Sequence, residues 1–356
     1  MTLQDKTDLG GMTLSELESY LTAHGQQKFR AKQIKEQLTR GFDFPEMSNL
    51  PLNLRAELAK TCYGGLPRVA DKRVSAVDGT VKYLFEFPDG ECVESVIMRY
   101  RHGTTICISS QVGCRMGCKF CASTIGGRVR DLAASEMLGQ IEAAGRDLSE
   151  RIDGVVMMGI GEPLDNYENT VRFLRLVTDG DGLNIGARHI SVSTSGLVDR
   201  IRDLEKEDFG ITLSISLHAP DDATRSAIMP VNNKWGIDEL LTAVKHYFDA
   251  TGRRVSIEYT LIAGKNDSAR DALALADTLR RYFARGEALH INLIPVNPVA
   301  ETGFAAGSRK SALAFAKTLS EQGFNATVRR TLGPDIHASC GQLRRAKLQT
   351  KERTPV

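Results

Sequence analysis

The chain lacks several features that would place it in other classes. No apolar run approaches the roughly 18 residues of a membrane helix, and the first 25 residues, MTLQDKTDLGGMTLSELESYLTAHG, have no continuous apolar core of the signal-peptide kind. A cytoplasmic protein with no membrane association is expected. Net charge is small, 46 basic against 44 acidic residues, so the whole chain is not a polycation and any nucleic-acid contact would have to be local. Internal repeats and low-complexity segments are absent. What is present is a soluble, globular composition, 42% hydrophobic and 25% charged over 356 residues. That length suits a barrel with a small accessory domain. Structural disulfides are rare in the cytosol, so seven cysteines direct attention to where they cluster: Cys107, Cys114, Cys118 and Cys121 share one short stretch, while Cys62, Cys92 and Cys340 lie apart.

Thr13 and Glu16 form a plausible capping box ahead of the amphipathic run LSELESYLTA. Further helices are expected over FRAKQIKEQLTR and over LPLNLRAELAK, with Pro51 near the start of the latter. Lys28, Arg30, Lys32 and Lys35 gather here, either as a solvated helix face or as contacts to nucleic acid. From about residue 80 the pattern becomes β-rich: VKYLFEF and CVESVIMRY flank the turn signal PDG. TTICISS, GVVMMG, HISVST, ITLSISL, VSIEYTLI, LHINLIP and ATVRRT then alternate with helical segments such as AASEMLGQIEAAGRDL and NTVRFLRLV. Alternation of this kind predicts βα units on a parallel sheet. The fold class is α/β: a partial (β/α)6 barrel with a small helical N-terminal domain. The boundaries read as 1–75 for a helical accessory domain, 76–103 for a β-rich linker, 104–331 for the barrel and 332–356 for a C-terminal segment. In such barrels the chemistry sits on loops at the C-terminal ends of strands. The cysteine loop, Gly161-Glu162-Pro163 and His218 all fall at such ends. From Asn325 to Val356 seven Lys/Arg face only Asp335 and Glu352, either a soluble tail or a second candidate for nucleic-acid contact.

The segment GCRMGCKFCASTIGG spaces Cys114, Cys118 and Cys121 as C-x3-C-x2-C. Three thiolates in eight residues can each take one iron of a [4Fe–4S] cubane and leave the fourth iron open to an exogenous chelate, for which the amino and carboxylate groups of S-adenosylmethionine (SAM) are suited. No acidic residue lies between Gln111 and Arg130, while Arg115 and Lys119 are within the loop, and positive neighbours favour thiolates. The alternatives are a zinc site, which more often uses four ligands in two pairs, or unrelated cysteines.

An ordered set of segments, FRAKQI, CISSQVGCRMGCKFCAST, MMGIGEPLDN, HISVSTSG, SISLHAP, INLIPVNPV and DIHASCGQL, resembles the bacterial radical-SAM adenosine C2-methyltransferases that modify 23S rRNA and, in some members, tRNA. The resemblance runs over nearly the whole chain. It implies that Cys114, Cys118 and Cys121 bind the cluster. Gly161, Glu162, Ser193, Ser216, Leu217, His218 and Asn297 would form the SAM pocket, with Glu162 receiving the cationic amino group. Cys340 would carry the methyl group, Cys107 would be its resolving partner and Glu94 a proton acceptor. Cys62 and Cys92 match no motif and read as structural.

The implied chemistry uses two SAM per turnover. Adenine carbon 2 lies between two ring nitrogens and is electron-poor, so direct transfer from the electrophilic SAM methyl is unfavourable, whereas a thiolate can accept that methyl first. A deoxyadenosyl radical from the second SAM would take a hydrogen from S-methyl Cys340, the methylene radical would add to carbon 2, and Cys107 would attack Cys340 sulfur, releasing product and leaving a disulfide for a reductant to reset. Either Cys107 or Glu94 would take the carbon-2 proton. The target base must leave its stack, the electron donor would be of the flavodoxin or ferredoxin kind, and a monomer is the default. Rival readings are methylation at carbon 8 of the same rRNA adenosine, a radical-SAM thiolation enzyme, whose second cysteine set is not evident, and a non-enzymatic metal-stabilised RNA-binding module.

Overall fold

Thr13 begins the first helix as its sequence suggests: its hydroxyl accepts from the Glu16 backbone N–H while the Glu16 carboxylate accepts from that of Thr13, a reciprocal cap that stabilises the helix start by about 1 kcal/mol. In the computed structural model, which describes residues 5–297 and 303–336, the N-terminal region comprises β1 (Thr7–Asp8), α1 (Leu14–Ala23), α2 (Arg30–Thr39), α3 (Leu52–Thr61) and β2 (Cys62–Tyr63). Leu17, Leu21, Ile34, Leu38, Leu54 and Leu58 pack with Cys62 into a core separate from the main one. Among the contacts that seat this unit on the rest of the chain, Arg172 donates to the Gly11 carbonyl, Ser135 Oγ to Asp8, and Arg146 to the Gly41 carbonyl.

The sheet begins earlier than the change of pattern near residue 80 indicates. The strands β3 (Arg68–Val74), β4 (Val81–Glu86) and β5 (Cys92–Tyr100) are antiparallel, with β4 and β5 joined through Pro88-Asp89-Gly90, where Gly90 takes φ +80°. They do not form a linker: they extend the main sheet at one edge, because β5 pairs antiparallel with β6 (Gly103–Cys107). A small hairpin follows, β7 (Gln111–Gly113) and β8 (Arg128–Asp131), and the cysteine loop lies between its strands.

Six βα units then run in order. They are β6 with α4 (Ala134–Leu148), β9 (Gly154–Met157) with α5 (Tyr167–Thr178), β10 (Ile190–Thr194) with α6 (Val198–Glu205), β11 (Thr212–Ser216) with α7 (Asp222–Ile228) and α8 (Ile237–Thr251), β12 (Val255–Leu261) with α9 (Ala269–Arg280), and β13 (Leu289–Pro295) with α10 (Arg309–Glu321). A last strand, β14 (Asn325–Val328), pairs parallel with β13. The sheet order is β14-β13-β12-β11-β10-β9-β6-β5-β4-β3, and every pairing from β6 to β14 is parallel. Parallel strands are covered on both faces, and β12 is buried at all seven positions. Residues from β6, β10, β11, β12, β13 and β14 line one interior space, so the sheet wraps as a partial barrel, and β3 and β14 remain its unjoined edges. No helix among the described residues is long and apolar enough to cross a membrane.

Candidate active site

The loop from β7 to β8 brings its three cysteines to one cavity at the C-terminal ends of the barrel strands, where Cys114, Cys118 and Cys121 line the wall with Gly161, Glu162, Ser193, Ser216, His218 and Asn297. Backbone bonds shape the loop: the Cys114 N–H donates to the Gly127 carbonyl, the Cys121 N–H to that of Cys118, and the Lys119 N–H to that of Ile228. Thr124 Oγ1 donates to the Cys118 and Cys121 carbonyls. Burial pushes the Cys114 thiol up to about 12 and raises that of Cys118 as well, so without a metal these groups stay protonated. Among the described residues no three ligating side chains converge as a single ion requires, and no other cysteine lines this cavity. Three spaced thiols suit a multi-iron cluster, one thiol to an iron, better than a mononuclear zinc.

The positive charge near the thiols does not come from where the sequence places it. Arg115 is engaged by Asp165 in an ion pair. The cation that acts on Cys118 is Arg225, on α7. It is fully buried, and its guanidinium donates to the carbonyls of Ser195, Ser216 and Leu217 and to Asn232 Oδ1. Arg225 therefore ties together the ends of β10 and β11 that form the cavity wall. Desolvation lowers its pKa to about 10, still charged at neutral pH. Nothing in the local sequence marks it, because its partners are backbone atoms of distant strands.

Glu162 is buried, with Oε2 accepting from the Ser195 N–H at 2.7 Å and Oε1 from the Leu164 N–H at 3.1 Å. Desolvation raises its pKa against those hydrogen bonds. No Lys, Arg or His forms an ion pair with it among the described residues. A buried carboxylate without a protein cation is poised for a cationic ligand group. Gly161 precedes it at φ +112°, where a Cβ would come within 2.7 Å of the Gln111 backbone nitrogen, so glycine alone permits this close passage. Ser195 Oγ is buried beside the carboxylate without a hydrogen bond of acceptable geometry and faces the same cavity. The sequence singles out Ser193 and gives no sign of Ser195, because a buried hydroxyl lacking a well-aligned partner is visible only in three dimensions.

His218 adopts φ +59°, uncommon for a residue with a Cβ. Its Nδ1 accepts from the Thr260 N–H at 2.9 Å, and Asn266 Nδ2 holds its carbonyl. Burial, with Arg225 adding, drives its pKa down to about 3. The ring is neutral, and with Nδ1 accepting, Nε2 carries the proton. Phe120 meets it edge-on at 5.1 Å. Leu217 is different from the rest of the expected pocket: its side chain is fully buried in the main core and does not line the cavity, since it is the adjacent position on the pleat that faces inward.

Glu94 and Cys107 line a second cavity together with Val96, Arg329, Arg330, Thr331 and Leu332. Met158, Gly159, Ile294, Asn297 and Arg329 border both spaces. Cys107 pairs in register with Val96, two positions from Glu94, so the side chains of Cys107 and Glu94 fall on one face. Glu94 forms an ion pair with Lys82 at 2.8 Å. Burial raises the Cys107 thiol, with Arg329 acting in the opposite sense. Cys62 packs in the N-terminal core and Cys92 beside Leu84, both buried. All six described cysteines are free thiols; Cys340 lies outside the described residues.

Lys35, grouped by sequence with Lys32 as a possible nucleic-acid contact, is 5% exposed, and its Nζ donates to the Met12 carbonyl at 2.8 Å. It fastens α2 to the chain before α1 and is withdrawn from solvent; Lys32 remains exposed.

The fold and the three-cysteine cavity define a radical-SAM enzyme, and residues 108–276 match the family model of the Radical SAM superfamily. Residues 7–63 match that of the ribosomal RNA large subunit methyltransferase N-terminal domain. A protein from Alkaliphilus oremlandii called "Probable dual-specificity RNA methyltransferase RlmN" is 49% identical over 346 residues, covering 97% of this chain and 99% of its own. A namesake from Clostridium acetobutylicum is 48% identical, covering 95% and 97%. The crystal structure of a radical SAM methyltransferase from Sphaerobacter thermophilus superposes with a TM-score of 0.88 at 43% identity, covering 94% of this chain and 98% of that one. The chain belongs to the RlmN family of radical-SAM RNA methyltransferases, whose superfamily chemistry employs a [4Fe–4S] cluster and SAM.

Proposed function

We propose that this enzyme methylates carbon 2 of an adenosine in 23S rRNA and in tRNA, with Cys340 as methyl carrier, Cys107 as its resolving partner and Glu94 as proton acceptor. The observation that carries the reading is the adjoining of two cavities. One holds the three loop cysteines and Glu162, the other holds Cys107 and Glu94, and Asn297 and Arg329 border both. The relatives' name, dual-specificity RNA methyltransferase, supports more than one RNA substrate, and the N-terminal match to a ribosomal RNA large subunit methyltransferase domain supports rRNA as one of them.

Cys114, Cys118 and Cys121 are assigned to the cluster. The Glu162 carboxylate would take the SAM ammonium, Ser195 Oγ and the His218 Nε2–H would offer hydrogen bonds, and Ser193, Ser216 and Asn297 would complete the wall. Bound there, cluster and SAM would supply radical chemistry on receipt of an electron from a flavodoxin- or ferredoxin-like donor. The chain's own residues do the remainder. The Cys340 thiolate would accept a methyl group from SAM, forming its S–CH3 bond as the sulfonium sulfur leaves as a neutral thioether. Glu94, on the Cys107 side, receives the proton leaving carbon 2. Cys107 thiolate then attacks Cys340 sulfur, its electron pair forming the S–S bond as the Cys340–carbon bond breaks; the bond pair passes to the released carbon, which takes a proton to complete the methyl group. Exposed Lys32 and the basic residues after Asn325 are the proposed phosphate contacts.

Mass spectrometry of nucleosides from unmodified rRNA and tRNA fragments, treated anaerobically with reconstituted enzyme, SAM and reductant, tests this. 2-Methyladenosine from both fragments is expected. 8-Methyladenosine would overturn the regiochemistry, and modification of one fragment only would restrict the substrate.

A further inference from the structure

The chain leaving β14 is tied to a turn some 255 residues earlier in sequence. Arg329 still bonds to the sheet, donating to the Leu293 carbonyl, and Arg329 to Leu332 form one wall of the cavity that holds Cys107 and Glu94. Immediately beyond, Gly333 N donates to Asp78 Oδ2 at 2.9 Å. Two residues on, Asp335 receives the Ser75 hydroxyl at 2.6 Å on one carboxylate oxygen and the Ala76 N–H at 2.9 Å on the other.

The receiving turn, between β3 and β4, is built to hold still. The Ser75 N–H donates to the Thr80 carbonyl, and Ser75 Oγ accepts from the Val77 and Asp78 N–H groups while donating to Asp335. Asp78 accepts from Thr80 N with its other oxygen. Ser75 is itself 3% exposed. The segment is thus gripped by both carboxylates, one on each side, each bonded to backbone N–H.

Asp335 stands five residues before Cys340, a tether of at most about 18 Å. We infer that Asp335, with Ser75 and Asp78, is a positioning clamp that fixes the root of the Cys340 segment and so sets the frequency with which Cys340 meets Cys107. The inference rests on the reading of Cys340 and Cys107 as partners. A short tether anchored beside the cavity raises the effective concentration of one thiol at the other.

The test uses cluster-loaded enzyme in a glutathione redox buffer, with the rate of the Cys107–Cys340 disulfide followed by peptide mass mapping. Asp335→Ala is expected to slow it about tenfold and Ser75→Ala to slow it less, with the melting temperature and SAM binding unchanged. A rate in Asp335→Ala within about twofold of the unaltered protein would overturn the clamp. So would a faster rate, which would mean that the contact holds Cys340 away, and so would absence of the disulfide in the unaltered protein. A separate mass measurement for a methyl group on Cys340 after incubation with SAM isolates the other reading. Clamp-dependent disulfide rates without a methylated Cys340 would remove the methyl-carrier role and leave the clamp standing.

Discussion

Lys82 and Glu94 form an ion pair 2.8 Å apart on neighbouring strands with side-chain exposures of 0% and 1%. A pair taken so completely out of water is held because each partner compensates the other's desolvation. Removal of one alone leaves a buried charge exposed to a low-dielectric surrounding. Lys82→Met is expected to destabilise the fold by about 3–5 kcal/mol, and Lys82→Met with Glu94→Leu to recover most of that loss. Urea unfolding of the three proteins measures it; a single mutant as stable as the parent would show that the pair is not the determinant.

Ser195 makes the cleanest probe of the SAM pocket. Its hydroxyl is buried beside Glu162 and, among the described residues, makes no hydrogen bond of good geometry, so Ser195→Ala should change stability little. SAM affinity should fall about fivefold through loss of one hydrogen bond, and Glu162→Gln should reduce it roughly ten- to hundredfold through loss of a charged one. Calorimetric titration of anaerobic, reconstituted enzyme reads both. Undiminished binding in Glu162→Gln would remove the carboxylate from the ammonium site.

The basic N-terminal residues separate into two roles. Lys32→Glu should weaken RNA binding and reduce the steepness of its salt dependence, as loss of a phosphate contact does, with no change in melting temperature. Lys35→Glu should lower the melting temperature instead, because Lys35 is buried and bonded to Met12. Equal effects of the two substitutions on RNA binding alone would contradict this division.

Burial pushes the Glu142 carboxyl on α4 up to about 8, with Lys35 partly offsetting. A folded-state value above the unfolded value of 4.5 means that the folded chain binds more protons in the interval between them. Stability from this group is therefore complete below about pH 4.5 and is lost as pH rises through about 8. The urea midpoint should decline over that window, and Glu142→Gln should flatten the decline. A slope unchanged by the substitution would assign the titration to another group.

Much of the architecture is legible in the order of residues. Thr13 and Glu16 cap α1 because capping is a local exchange of hydrogen bonds. The barrel strands β6 and β9 to β14 are visible because each is a short apolar run flanked by helical periodicity, whereas the hairpin of β7 and β8, with its short polar segments, carries no such signal. What misleads is local pattern without its tertiary partner. The β-rich stretch at 76–103 reads as a linker, yet β5 joins β6 edge to edge. Lys35 reads as one more basic surface residue, yet it points inward because α2 turns that face to the core alongside Ile34 and Leu38.

The sequence by itself determined the α/β class, the six βα units, the three-cysteine spacing and the family, since these depend on periodicity and on residues close together in the chain. Only the tertiary structure decided which side chains share a cavity. Arg225 comes to Cys118 across more than a hundred residues, Ser195 faces the cavity while the Leu217 side chain packs in the core, and Asp335 reaches Ser75 across 260. These relationships arise from the packing of distant strands and loops, where backbone carbonyls and N–H groups serve as partners, and such atoms are the same at every position of a sequence.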